Sequence, residues 1–331
     1  MEKILFLVIV LLQVSCNDQN QKINGLSFVA SRDSITQQHI APVLKSKSNF
    51  VAIMPFGAIR NLSSSEIRYN ANRQWFGETA IGVEQYAKKF QAERIKVMLK
   101  PQLWVWEGQY TGYIAMESEE KWKKLEDSYL KFILFYAEIA EKIQVDIFCI
   151  GTELEQFVMQ RPNFWIDLIP KVRVVYKGKL TYAANWDVYN KLSFWSELDF
   201  IGVDAYFPLS EKKSPTLAEL EIGWKAHKDE IMQVQKQFGK PILFTEFGYR
   251  SIDFATKEPW KSDRVEGRIN LENQVNGLKA IHNQFWKEDW FAGGFIWKWF
   301  HEHKSVGGEN NNRFTPQNKP AEVVLTELYG G

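Results

Sequence analysis

The sequence predicts an α/β fold, a single-domain (β/α)8 TIM barrel, on three observations. Short apolar runs alternate with longer helical patterns, and they do so eight times. The runs are rich in Val, Ile, Phe and Leu with few interior charges, as parallel strands covered on both faces must be. The first run leads into Ser31-Arg32-Asp33-Ser34. An open doubly wound sheet would carry a glycine-rich phosphate turn there. Eight β-then-α units in a chain of 331 residues fit a closed barrel instead.

The expected strands are 25–30, 50–56, 95–103, 145–151, 180–184, 200–205, 241–245 and 293–297. Helices are expected at 78–91, 119–143, 163–177, 215–238, 271–286 and 320–329. The second of these is the clearest: Trp122, Leu125, Tyr129, Phe132, Ile133, Tyr136, Ile139 and Ala140 recur near helical spacing. Pro320 suits a first helical turn. The connections after the first and fifth strands are short. Two are long, 60–77 after the second strand and 250–270 after the seventh. With no repeat, low-complexity tract or internal linker, residues 24–331 form one barrel domain.

Composition narrows the partners. Lys plus Arg, 41, nearly cancels Asp plus Glu, 40, so no net field draws nucleic acid or an anionic membrane surface. Thirteen tryptophans and a 15% aromatic content supply flat apolar platforms suited to the faces of sugar rings.

The N-terminus reads as a leader. Residues 4–12 are an unbroken apolar run after Lys3, too short to span a bilayer. It ends in Gln13-Val14-Ser15-Cys16, similar to a lipobox, with residues 17–23 as a polar tether. The expectation is a signal peptide, 1–16, with Cys16 acylated and the protein lipid-anchored in a bacterial cell envelope, on the outer membrane or cell surface. Without acylation it would be secreted. Gln13 departs from the aliphatic residue usual in a lipobox, and Glu2 weakens the basic stretch. Once Cys16 is set aside, Cys149 is alone, so no disulfide framework exists.

In a barrel the site is built where strands end and βα loops begin. Those tips hold Lys100 and Gln102 in the third unit; Thr152, Glu153 and Glu155 in the fourth; and Asn185, Trp186 and Asp187 in the fifth. Asp204 and Tyr206 follow in the sixth, Glu246 and Arg250 in the seventh, and Trp297, Lys298 and Trp299 in the eighth. Glu153 and Glu246 each close an apolar strand, where an ionised carboxylate is costly unless paired or used. Strands four and seven lie nearly opposite each other, so both acids can lean over one opening, as glycosidic hydrolysis requires. Structural ion pairing, with Arg250, Lys298 or Lys100, is the competing reading.

Gly151-Thr152-Glu153, Thr245-Glu246-Phe247-Gly248 and Gly294-Phe295-Ile296-Trp297 resemble the clan A glycoside hydrolases. The wider set resembles glycoside hydrolase family 113, whose characterised members are mainly β-mannanases. It adds 50–56, Lys100-Pro101-Gln102, Asn185-Trp186-Asp187 and the run from Gly202 to Pro208. The resemblance implies a retaining hydrolase of β-linked glycan, most like β-1,4-mannan, acting by double displacement. Glu153 would be its acid/base and Glu246 its nucleophile, with carboxyl groups about 5–5.5 Å apart. Trp297 would floor the subsite of the attacked sugar, and Tyr206 would hydrogen-bond the nucleophile. Most of the clan has asparagine where this chain has Thr152, which fits family 113 better than its relatives.

Lys100, Gln102, Asp204, Asn185, Trp186 and Trp104 are further candidates for substrate binding. For Lys100 and Gln102 the alternative is a polar network at the barrel mouth. For Asn185 and Asp187 it is loop capping, and for Trp75, Trp104, Trp106 and Trp186 rim packing. Glu155 reads as a rim or supporting acid, and His301 and His303 as solvent-side loop residues. No cofactor or metal is expected, and the chain should be a monomer. Two other functions stay open: a non-catalytic glycan-binding lipoprotein on the same barrel, and a barrel enzyme of phosphorylated metabolites. Against the latter stands the lack of a glycine-rich phosphate site after strands seven and eight.

Overall fold

The computed structural model describes residues 21–331 apart from residue 264. The expected leader and Cys16 lie outside the described residues. Eight parallel strands close a barrel in sequential order: β1 (Ile23–Phe28), β2 (Phe50–Ile53), β3 (Lys96–Leu99), β4 (Ile147–Thr152), β5 (Lys179–Asn185), β6 (Ile201–Asp204), β7 (Ile242–Phe247) and β8 (Phe291–Trp299). β8 pairs with β1 to complete the ring. The first strand starts before the expected 25–30. β1 begins at Ile23, and Lys22 donates to the carbonyls of Glu288 and Phe291, both at 2.6 Å.

Helices α1 (Gln37–Lys45), α2 (Ala80–Ala92), α3 (Glu119–Lys142), α4 (Glu155–Gln160), α5 (Pro162–Val175), α6 (Leu217–Phe238), α7 (Leu271–Phe285) and α8 (Pro320–Gly330) surround it. The fifth connection holds only short 3-10 turns, Tyr189–Lys191 and Phe194–Glu197. α4 is absent from the expected helices: at six residues it is too short to show a period. Among the described residues no helix is long and apolar enough to cross a membrane.

Two cores follow from the pleat. Inward side chains, including Ile23, Phe50, Met98, Ile147, Leu243 and Phe295, fill the barrel's lower interior. Outward ones pack against the helices. Aromatic rings dominate near β4, where Trp165 packs edge-on to Tyr182 at 5.2 Å and near Tyr129 at 5.3 Å. A Cβ on Gly151 would come within 2.8 Å of all three side chains. Helices and strand therefore approach as closely as a glycine allows. Beyond the barrel, Phe56–Ile59 and Gln102–Val105 pair in parallel as a small second sheet continuing β2 and β3.

Trp165→Ala should open a cavity beside β4 and cost about 3–5 kcal/mol. Guanidinium unfolding followed by circular dichroism should show the midpoint falling accordingly.

Candidate active site

The apolar floor of the barrel ends where β3 and β7 turn polar. Along β3 and its continuation, Met98, Lys100, Gln102, Trp104 and Trp106 recur at period two, the pleat's spacing for one face. Lys100 and Gln102 do share a target: Lys100 Nζ donates to Glu246 Oε1 at 2.6 Å, and Gln102 Nε2 to the same oxygen at 3.1 Å. The Tyr206 hydroxyl donates to Glu246 Oε2 at 2.9 Å. Both oxygens of the Glu246 carboxyl are thus held.

Asp204 completes a buried triad. It accepts from Lys100 at 3.2 Å and from the Thr245 hydroxyl at 2.7 Å. A register shift between Val203 and Asp204 pairs Asp204 with Glu246 across β6 and β7. Burial pushes the Asp204 carboxyl up to about 7, with repulsion from Glu246 adding to it and Lys100 opposing it. Burial alone would lower the Lys100 ammonium, but Asp204 and Glu246 more than offset this and raise it above its ordinary value. Burial, with Glu246 and Asp204 beside it, pushes the Tyr206 hydroxyl well up, so it stays a donor.

Glu153 meets the opposite environment. It follows β4 with φ +48°, a left-handed backbone that costs a side-chain-bearing residue about 1–3 kcal/mol. Its own N–H donates to Ala183 O at 2.9 Å, and the next N–H, of Leu154, donates to the Tyr182 hydroxyl at 2.9 Å. These bonds hold the turn that aims Glu153. Burial pushes its carboxyl well above the usual carboxylate range; Asp204 and Glu246 add to the rise, and Lys100 partly opposes it. Among the described residues no side chain hydrogen-bonds the Glu153 carboxyl.

The remaining tips divide. Asn185 Nδ2 donates to the Tyr110 hydroxyl at 3.1 Å and to Glu155 Oε1 at 3.2 Å, while the Tyr110 hydroxyl donates to Glu155 at 2.9 Å. Burial, then Glu153 and Glu155, raises Tyr110. Sequence reasoning misses Tyr110 because it sits in an aperiodic loop. Trp186 stacks on Trp260 at 5.2 Å, and Trp297 is half-buried with the Lys298 ammonium 5.2 Å from its ring centre. Trp104 and Trp106 are exposed. Gly248 lets β7 approach β8: a Cβ there would lie 2.5 Å from the Trp297 carbonyl oxygen.

A scan of family models matches the one described as Glycoside Hydrolase Family 113 over residues 30–319. The chain belongs to glycoside hydrolase family 113. No curated protein matches it. Solved structures resemble this family 113 hydrolase in fold. A complex of a GH113 β-1,4-mannanase has TM-score 0.82 at 23% identity, covering 94% of this chain and 99% of that one. The GH113 β-mannanase from Alicyclobacillus acidocaldarius has TM-score 0.80 at 24% identity, covering 93% and 97%. A β-glucuronidase from Ruminococcus gnavus has TM-score 0.62 at 14% identity, covering 93% and 50%.

Several expectations for this family 113 hydrolase need correction. Lys100 and Asp204 have 0% exposure and face each other beneath Glu246, so neither presents an atom to a sugar hydroxyl. Arg250 does not approach Glu246. It donates to the carbonyls of Asn312 and Val265, and Lys298 pairs with Asp263 at 2.9 Å. His301 and His303 are half-buried rather than solvent-side; His303 bonds Glu322 at 2.6 Å, and the His301 ring packs on that of His39.

Lys100→Met should destabilise this hydrolase by about 3–5 kcal/mol at neutral pH, since it strands two buried carboxylates. Asp204 titrates higher folded than unfolded, so its burden grows as pH rises from about 4 toward 7. Denaturant titrations should show the deficit of Lys100→Met widening as pH rises above about 7, where Asp204 ionises in the folded parent but stays protonated in the variant; a constant deficit there would contradict the triad.

Proposed function

We propose that this enzyme cleaves β-linked polysaccharide with retention, with β-1,4-mannan the favoured substrate. One observation carries the reading. Two carboxyl groups at the same mouth meet unequal surroundings: Glu246 takes three donors, one of them a buried ammonium, while Glu153 is desolvated and repelled by Glu246 and Asp204. Unequal acids are what double displacement needs.

In the first step Glu246 attacks the anomeric carbon and the Glu153 proton passes to the leaving oxygen. In the second Glu153 takes a proton from water, which releases the sugar from Glu246. Lys100, Gln102 and Tyr206 fix the orientation of Glu246 by holding both of its oxygens. Trp297, half-buried at the end of the apolar stretch of β8, offers the flat face for the attacked sugar. The descriptions of the mannanase structures and the family support mannan. We also propose Cys16 as a lipid anchor placing the barrel at the cell envelope, which metabolic labelling with palmitate in the parent and Cys16→Ser would test.

Glu246→Gln should abolish hydrolysis of β-mannan, and Glu153→Gln should lower kcat/KM by about 10²–10⁴-fold. Full activity in either variant, on a product-resolved assay, would refute the assignment. Tyr206→Phe removes one bond to a charged acceptor and should cost one to two orders of magnitude in kcat, about 1.5–3 kcal/mol. Glu153 works protonated, so activity holds below its raised pKa and falls as pH climbs through it. The alkaline limb of kcat/KM against pH should therefore lie well above the ordinary carboxylate range.

A further inference from the structure

A cavity of about 900 Å³ lies outside the carboxylate site, between the 60–77 loop and the end of the second sheet. Arg60, Arg68 and Arg73 line it together with Lys124, Glu66 and Trp106. The three arginines are exposed, and none has an ion pair or side-chain hydrogen bond among the described residues. Lys124 is paired with Glu120 at 2.7 Å. The cavity therefore carries three uncommitted guanidinium groups against one carboxylate, Glu66, in a chain whose net charge is only +1.

Its position follows from the pleat. Phe56 pairs with Gln102 and Ala58 with Trp104, and Trp106 N–H donates to Ile59 O at 2.8 Å. Continuing the same faces brings Arg60 beside Trp106. Gln102, which touches Glu246, is four residues from Trp106, about 13 Å along the strand. Trp104 and Trp106 are 43% and 76% exposed on that face. An aromatic track thus runs from the nucleophile candidate to the arginine cavity.

We propose that this cavity binds a carboxylate carried by the glycan, a uronic acid unit or side branch several sugars from the bond that is cut. Guanidinium groups take carboxylates through paired N–H donors, and an indole beside them offers a face for the sugar ring that bears the charge. A neutral glycan satisfies Trp106 but leaves the arginines to water. The inference rests on the reading of the mouth as a glycan-cleaving site, and it adds the charge class of the substrate.

The test compares the parent with the Arg60→Gln, Arg68→Gln, Arg73→Gln triple variant. Its ligands are a neutral β-linked manno-oligosaccharide and a uronate-substituted one of equal length. Titration calorimetry on both proteins should show about tenfold tighter binding of the uronate ligand by the parent. The preference should weaken with added salt and vanish in the triple variant, which keeps turnover of the neutral ligand. Equal binding of the two ligands by the parent overturns the inference, as does a preference that survives in the variant or is matched by inorganic sulfate at the same ionic strength. Failure of the parent to hydrolyse any β-linked glycan would instead strike the mechanism, and the calorimetry would still decide the arginine cavity.

Discussion

A lysine with no exposed atom is tolerated in a barrel only when anions surround it, and Lys100 has two, Asp204 and Glu246. Each of the three comes from a different strand or strand end, so closing the ring and balancing the charge are one event. One positive group faces two negative ones, and the surplus charge has consequences. Tyr206 and Gln102 spend their hydrogens on Glu246, while Glu153, with no side-chain donor among the described residues, meets burial first and then the surplus as repulsion. Donors converge on Glu246, whereas burial and repulsion act on Glu153.

The backbone serves that arrangement by departing from regular strands in a few places. β4 and β5 shift register between Cys149 and Thr152, just before the left-handed residue at Glu153. β6 and β7 shift next to Asp204. At these points the barrel interior passes from an apolar floor to polar strand ends. The left-handed turn at Glu153 puts strain beside the candidate site, and the apolar floor and aromatic shell hold it in place.

Much of this was legible in the chain. The strand runs are apolar because both faces are covered, so composition exposes them, and each polar tip stands out against the run before it. Glu153, Glu246 and Tyr206 are visible for that reason. What a sequence does not carry is the direction in which a long side chain turns. Lys100 and Arg250 sit at comparable strand ends, yet one turns inward to the carboxylates and the other toward loop carbonyls. The bonds among Tyr110, Glu155 and Asn185 join a loop, the start of α4 and the end of β5, whose meeting depends on tertiary packing alone. α1 and α4 are short enough for their pattern to be lost among neighbouring residues.

The 250–270 segment is long enough to suggest a lid, but its inner portion is tied. Ile252 and Ile269 form an antiparallel bridge at its base, and Asp253 N–H donates to Arg268 O. Near its tip Trp260 lies flat against Trp186. Swinging it outward would pull these stacked indoles apart and break the ladder at its base. This wall of the mouth is therefore set before any saccharide arrives, and little ordering entropy remains to be lost there on binding. Discrimination on this side then falls to fit against a held surface rather than to rearrangement.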